Sequence, residues 1–476
     1  MSTNWTTLRE LLLPTAAERR GVESSLRAAI RDGRLGSGTR LPSSRDLAAQ
    51  FGVARGTVTA AYGQLVAEGY LVARRGSGTT VAALPDTTAP HHDVPAEQSR
   101  WRFDLKPGLP ALSAFPRAEW VSATRAALAE LPDEALGYPD PAGLAELRAE
   151  LASYLGRVRG VTATAADIVI THGGAEALAT LAAILPAHGH TTIAVEEPGH
   201  PGQSAVLHAN GMRTVPVPVD GDGVDVTALA DCRAVVVTAA HQFPLGVALA
   251  PHRRHALLAW ARDHDGLVLE DDYDAEHRYD RPALRAVQAM DPARVGYLGS
   301  VSKTLAPALR LGWLVLPPAL RAAAVVRKGQ TDLGCSPLPQ AAFARLLRSG
   351  GYDRHLRRTR ATYRHRRDAL LTALAEHLPD WQPVGVAAGL HVVLRLPAEM
   401  SDVDVQDRLA AQGINVPALS GYTRGGGAPY PGLVVGYAAT SPDLLHAAVA
   451  EIAACLGQRT VSGGMDPSPA YSTTMD

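Results

Sequence analysis

The apolar positions of this chain follow one pattern up to about residue 82 and another after residue 101. In the first stretch, SSLRAAIRDGRL has apolar residues at helical spacing and predicts an amphipathic helix closed by Gly36. LPSSRDLAAQFG opens at Pro42, has Ser43 and Ser44 as capping candidates, and stops at Gly52. GTVTAAYGQLVAEG predicts a further helix ending at Gly69. YLVARRGSGTTVA then alternates on either side of RRGSG, which predicts two short strands joined by a glycine-rich tip. Residues 1–82 therefore read as helix, helix-turn-helix and hairpin.

Residues 83–100, ALPDTTAPHHDVPAEQSR, are rich in Pro, His and polar residues without a period, the signature of a linker. Over residues 101–456 the runs DIVIT, TTIAVEE, TVPVPV, AVVVTAA, GLVLEDD and VGYLGSV alternate with helical stretches such as AGLAELRAELASYLGRV and HRRHALLAWARDH. Short apolar strands separated by helices predict an α/β domain with a mainly parallel sheet covered on both faces. A smaller α/β segment follows RHLRRTRATYRHRRDALLTALAEHL, and residues 457–476 are expected to form a disordered tail.

Composition sharpens this outline. A chain of 476 residues with 46% hydrophobic and 20% charged residues exceeds one ordinary core and fits a globular protein of two or three domains. No apolar run approaches the length of a membrane span, the N-terminus lacks the order of a secretory signal, and Cys232, Cys335 and Cys455 form neither a disulfide framework nor a metal knuckle. The expected compartment is the cytoplasm. The histidine pairs His91 and His92, His188 and His190, and His252 and His255 lack a Cys or carboxylate at tetrahedral spacing, so no metal site is expected.

The formal net charge of −1 conceals an asymmetry: residues 1–82 hold eleven Arg and six acids, 11 − 6 = +5. A basic module on a near-neutral body should meet a polyanion through that module alone. In a helix-turn-helix the second helix enters the major groove, so Arg55, Thr57 and Thr59 at its front are candidates for double-stranded DNA, with Arg45 on the preceding helix. Gly76, Ser77 and Gly78 at the hairpin tip allow close backbone approach to phosphate or minor groove. LPSSRDLAAQFGVARGTVTAAYGQLVAEGYLVARRGSGTTVA resembles the winged helix-turn-helix of GntR-type bacterial repressors, departing at Gly56, where that family often has a bulkier or polar residue.

Arginine supplies nearly all the positive charge; the chain has three lysines, Lys106, Lys303 and Lys328. Lysine, unlike arginine, forms Schiff bases. In YLGSVSKTLAPALRLGW, Lys303 follows an apolar strand, with Ser300, Ser302 and Arg310 as donors for a phosphate dianion. GLVLEDDYDAEHRY ends another strand in carboxylates; Asp271, with Asp272 as the alternative, could keep a pyridinium nitrogen protonated, and Tyr273 could bond the ring hydroxyl. THGGAEALATLAAIL opens a helix whose Gly174 and Ala175 amides suit phosphate.

Taken in series, these pieces resemble fold-type I pyridoxal 5'-phosphate (PLP) enzymes of the aspartate aminotransferase class. With the GntR-like head they resemble MocR-type (GabR-like) transcriptional regulators over nearly the whole chain. GYPDPAGLAELRAELASYLGRVRGV, VEEPGHPG, HQFPLG, EDDYDAEHRY and GSVSKTLAPALRLG carry the likeness. The resemblance implies PLP as an internal aldimine on Lys303, Asp271 at the pyridinium, Tyr273 at the phenolic oxygen, and Ser300, Ser302 and Arg310 at the phosphate. It also implies a head-to-tail homodimer in which Tyr138 reaches the partner's phosphate. Departures concern His200, where the family usually has a tyrosine beside the ring, Ala175 in place of a common glutamine, and Gln242 with Phe243 where aminotransferases often carry an asparagine before proline. PGLVVGYAA lacks the late arginine that holds a substrate carboxylate, leaving Arg424 as the nearest effector-binding candidate. The expected function is a regulator that binds operator DNA and senses PLP or a small amino compound, with at most slow half-transamination; the alternative is a working aminotransferase with an appended DNA-binding-like head.

Overall fold

The computed structural model describes residues 21–74, 78–83, 101–229, 232–424 and 427–457. Gly76, Ser77, nearly all of the expected linker and the tail beyond Gly457 lie outside them. The chain divides into two compact units, Met1–Gln98 and Ser99–Asp476.

In the first unit, helix Val22–Arg31 precedes helices Ser44–Phe51 and Arg55–Ala67. The opening helix stops five residues short of Gly36. Gly33 takes φ +69°, and Leu35, 2% exposed, folds back to bond its N–H to Ala29 O, so the left-handed turn and the burial of Leu35 end the helix together. Ser43 caps the next helix, its Oγ accepting from Asp46 N at 3.2 Å, and Gly52 closes it at φ +65°. Strands β1 (Leu71–Arg74) and β2 (Gly78–Val81) form an antiparallel hairpin in which Leu71 faces Val81. Leu26, Leu47, Val58, Leu65, Leu71 and Val81 make its core.

The second unit begins with β3 (Phe103–Asp104), followed by β4 (Ile168–Thr171), β5 (Thr192–Glu197), β6 (Arg213–Asp220), β7 (Gly223–Val224), β8 (Ala234–Val237), β9 (Leu267–Asp272), β10 (Val295–Ser300) and β11 (Gly312–Val315). The main sheet has eight strands in the order β4-β11-β10-β9-β8-β5-β6-β7. Strands β10, β9, β8, β5 and β6 are parallel to their neighbours in that run; β11 is antiparallel to both β10 and β4. Successive residues of one strand enter opposite layers: Tyr297 packs with Trp313 and Phe343, Leu298 with Leu269 and Leu314. Both faces are buried, which is why these strands read as continuous apolar runs.

Strand β11 was absent from the sequence expectation. Its residues LGWLV continue the segment that carries Lys303, and what makes them a strand is insertion between β10 and β4. A Cβ on Gly312 would come within 2.8 Å of Gly173 Cα, so close approach to the neighbouring turn requires glycine there. Past helix Gly351–His377, a three-stranded antiparallel sheet of β12 (Gln382–Val384), β13 (His391–Arg395) and β15 (Gly432–Gly436) packs with helices Asp402–Ala411 and Pro442–Leu456, while β14 (Ile414–Asn415) pairs with β3. No helix among the described residues is long and apolar enough to cross a membrane.

Candidate cofactor site and nucleic-acid interface

Asp271 and Asp272 end β9, and strand alternation sends them to opposite faces. Asp272 turns into the core, where its Oδ2 accepts from Arg159 Nε at 2.6 Å and from the Tyr297 hydroxyl at 2.7 Å; Arg159 is 0% exposed. Asp271 turns the other way and accepts from Gln203 Nε2 at 2.6 Å. Burial pushes the Asp271 carboxyl up to about 6, against the opposing pull of the Gln203 hydrogen bond and the Lys303 charge.

Strand β10 lies beside β9 with Leu298 opposite Asp271, so the turn after β10 delivers Lys303 to the same end of the sheet. Lys303 Nζ donates to Gly108 O at 2.6 Å. Burial lowers its pKa, and Asp274 and Asp271 hold it up. In the same turn Ser300 and Ser302 are half-buried, with Ser302 N donating to Ser300 Oγ at 3.4 Å. Arg310, at φ +47°, brings its guanidinium to Gly173: a Cβ on that glycine would lie 3.4 Å from Arg310 Nη1. Gly173, at φ +91°, caps helix Gly174–Ile184, whose first amides, including those of Gly174 and Ala175, have no intrahelical acceptor. The Arg310 guanidinium has no hydrogen-bond partner among the described residues.

These groups fit PLP. A glycine-lined helix start, an open guanidinium and two hydroxyls form a cradle for a phosphate dianion. The Asp271 carboxyl, forced upward by burial, has the neutral Gln203 amide as its bonded partner, and a protonated ring nitrogen would supply a cation. A desolvated amine stands in the same turn.

Around this centre the Tyr273 hydroxyl donates to His241 O at 3.0 Å. His200 caps helix Pro201–Ala209, its Nδ1 accepting from Gly202 N at 3.0 Å, and its ring lies 5.4 Å from Phe243. Desolvation and the Lys303 charge lower the His200 pKa, so the imidazole is neutral at neutral pH. Gln242 is 1% exposed and turned inward on its own loop: Nε2 donates to Pro198 O at 2.9 Å and Phe243 O at 2.7 Å, and Oε1 accepts from Leu245 N at 3.0 Å. Its amide braces the HQFPLG segment instead of pointing to a ligand. Arg424 Nη1 donates to Thr214 Oγ1 on β6 at 2.7 Å, and its backbone N–H donates to Glu197 at the C-terminal end of β5. No hydrogen bond joins Arg424 to Lys303 or Asp271 among the described residues. Tyr138 is 89% exposed in this single chain.

Sequence reasoning missed several neighbours. Gly108 contacts Lys303, and Gln203, the residue directly after VEEPGHPG, contacts Asp271. His241, Asp274 and His391 come together fully buried, with His241 Nδ1 at 2.9 Å from Asp274 Oδ2 and His391 at 5.1 Å from the His241 ring. Burial and His241 depress His391 to about 4. His172, Glu176, Asp332 and Cys335 form a second group, where the Lys328 ammonium bonds Glu176 at 2.8 Å and Asp332 at 2.7 Å, so a lysine already supplies the cation there. Glu376, His377 and His446 form a third at the surface. None is visible in sequence spacing, because each joins separate elements.

In the first unit Arg45, Arg55, Thr57 and Thr59 are all exposed, while Val58 at 0% anchors their helix to the core. Arg55 Nε reaches Ser44 Oγ at 3.4 Å across the turn, and the Thr59 hydroxyl donates back to Arg55 O at 3.0 Å. Arg40, not anticipated, lays its guanidinium over Gly78 at the base of the hairpin tip, where a Cβ would be 3.1 Å from Nε.

Comparison with known proteins agrees with both units. Residues 111–452 match the family of class I and II aminotransferases, and residues 18–81 match the gntR family of bacterial regulatory proteins. The chain is 37% identical over 433 residues to the HTH-type pyridoxine biosynthesis transcriptional regulator PdxR of Corynebacterium glutamicum, covering 90% of this chain and 93% of that one. It is 33% identical to the probable rhizopine catabolism regulatory protein MocR of Rhizobium meliloti, covering 90% and 91%. Among solved structures, a kynurenine aminotransferase of Pyrococcus horikoshii superposes with a TM-score of 0.69 at 25% identity, covering 76% of this chain and 92% of that chain. The chain belongs to the MocR-type transcriptional regulators, in which a GntR-family DNA-binding domain is joined to a class I and II aminotransferase domain that takes pyridoxal 5'-phosphate.

Proposed function

We propose that this regulator reads PLP itself, with Lys303 as the capture point, and that the loaded and empty forms of the large unit differ in how they present the DNA-binding heads. The pyridoxine biosynthesis named for the PdxR relative supports PLP as the signal. The observation that carries the reading is the convergence of Lys303, Asp271 and the Gly173–Arg310 cradle at one sheet end, while Arg424 is held on Thr214.

When bound, the cofactor supplies an aldehyde that condenses with amines and a ring that withdraws electrons. The residues hold it. Arg310, Ser300, Ser302 and the Gly174 and Ala175 amides would hold the phosphate. Asp271, braced by Gln203, keeps a proton on the ring nitrogen. Tyr273 would serve the phenolic oxygen, and the neutral His200 would offer an aromatic ring beside the cofactor. Lowering the Lys303 pKa raises the fraction of free amine, the form that condenses. Asp274 beside His241 places a buried acid near Lys303, which disfavours a ligand carboxylate and restricts any second effector to an amine without one.

The exposed Tyr138 fits a head-to-tail homodimer in which it completes the partner's phosphate site. Two heads would then read two half-sites, and the ligand shifts DNA affinity only through unequal affinity for the two arrangements. The test is a DNA-affinity measurement on the region upstream of its own gene, with PLP-free and PLP-loaded protein side by side. A change of about tenfold, equivalent to about 1.4 kcal/mol of coupling, is expected. Equal affinities would sink the sensing role while leaving the DNA-binding role standing.

A further inference from the structure

A cavity of about 370 Å³ in the large unit lies apart from the residues assigned above, and Arg254, Arg278 and Arg281 line it with Leu249, Pro251 and Gly385. Arg278 is 5% exposed; its Nε and Nη2 bond Asp280 at 2.8 and 3.2 Å, and its Nη1 is buried without a partner among the described residues. Arg254 is similar: Nε donates to Leu249 O at 3.2 Å, Nη1 to Arg285 O at 2.8 Å, and Nη2 is buried without a partner among the described residues. Leaving charged donors unmet is costly, and two neighbouring guanidinia repel each other. Ala250 and Pro251, at the start of the 13-residue helix Pro251–Asp263, also line the pocket, so the positive end of that helix dipole lies beside it.

We propose that this pocket binds a small phosphate monoester, with Arg254 and Arg278 sharing the oxyanion and Arg281 closing on it from the mouth. The volume suits a molecule of vitamer size and is too small for a nucleic-acid segment. Asp280 remains ionised, held down to about 2 chiefly by Arg278 and also by Arg281, whose Nε donates to it at 3.2 Å, so it orients both without filling the pocket. Glu270 acts on Arg254 from the buried side, but burial and Asp272 push its carboxyl up, which makes it a weak counter-ion. With Asp272 paired to Arg159, the three guanidinia that line the pocket share Asp280, and the surplus matches a dianion. The pocket borders the loop carrying His241 and Gln242, since Val386 N donates to Gly246 O at 2.8 Å.

The probe is pyridoxine 5'-phosphate, which has no aldehyde and so cannot condense with lysine, added by equilibrium dialysis to full-length protein previously loaded with PLP and reduced with borohydride. Inorganic phosphate is run in parallel. Saturable binding weakened at least tenfold by Arg278→Gln, and also weakened by Arg281→Gln, is expected, with the absorbance of the fixed cofactor unchanged. Arg281 is 60% exposed, so its replacement keeps the test valid where Arg278→Gln misfolds. Binding of inorganic phosphate with the same arginine dependence supports the oxyanion site and assigns it to free phosphate. Absence of further binding, or binding indifferent to both substitutions, overturns the proposal. The readout is arginine dependence, so it does not hinge on what Lys303 carries.

Discussion

Two adjacent carboxylates with the same strand and the same chemistry are assigned opposite tasks by the direction in which each points. Asp272 compensates Arg159, which is 0% exposed, so Asp272→Asn leaves a buried cation without its anion and should cost about 3–5 kcal/mol in denaturant unfolding. Asp271 is the reverse case. Its folded pKa, about 6, lies above the ordinary 3.8, so the stability it contributes is present below pH 4 and is lost as pH rises through 6. Asp271→Asn should therefore stabilise the PLP-free protein by up to about 3 kcal/mol at pH 8 and by much less at pH 4.5. The same substitution removes the partner of the ring nitrogen and should weaken PLP binding about tenfold or more. Urea midpoints of the PLP-free proteins at the two pH values, with a PLP titration, check both halves. A stability difference that does not grow with pH would refute the assignment.

Among the elements, the helix-turn-helix shows how local chemistry and function can be separated. Ser43 supplies the cap of helix Ser44–Phe51, so Ser43→Ala should lower the stability of the first unit by about 1 kcal/mol. Helix Arg55–Ala67 carries glycines at 56 and 63 where an added Cβ would meet nothing within 4 Å. Neither is required by packing, so Gly63→Ala should raise stability by about 1 kcal/mol without touching the exposed Arg55, Thr57 and Thr59. Thermal unfolding of the full-length variants measures both; a destabilised Gly63→Ala protein would mean that something outside the described residues occupies that face. In the large unit the corresponding lesson is β11, whose glycine edge lets the Arg310 turn close against Gly173. Without that strand, the Lys303–Arg310 segment would not meet the helix start at Gly173 and Gly174.

On the scale of the whole molecule, charge is divided as the work is divided. Residues 1–82 carry +5 and the remainder −6, since −1 − 5 = −6, so attraction to a polyanion is confined to the head and should weaken with salt. Replacing the capture point tests the connection between the units. Lys303→Ala protein should keep its DNA affinity and salt slope in the absence of PLP, lose the borohydride-fixed adduct in peptide mass analysis, and show no PLP-dependent change in DNA binding. A retained PLP response would move the sensing chemistry to another residue.

Read by itself, the sequence determined the things that depend on local pattern and on rare residue types. The three helices and hairpin of the head follow from apolar spacing with Ser43, Gly52 and Gly69 as punctuation, the buried strands follow from their β-branched runs, and Lys303 stands out because arginine carries the rest of the positive charge. Where the chain turns back on itself, local pattern was insufficient: the first helix ended at Arg31 because Leu35 found a buried place. Tertiary structure alone decided which of two neighbouring aspartates faces the cofactor side, turned Gln242 inward, held Arg424 on Thr214, and assembled Asp274 with His241 and His391 and Arg254 with Arg278. The physical reason is that spacing along a chain encodes which face of an element a side chain occupies, whereas partners on separate elements are chosen by how the sheets and helices pack.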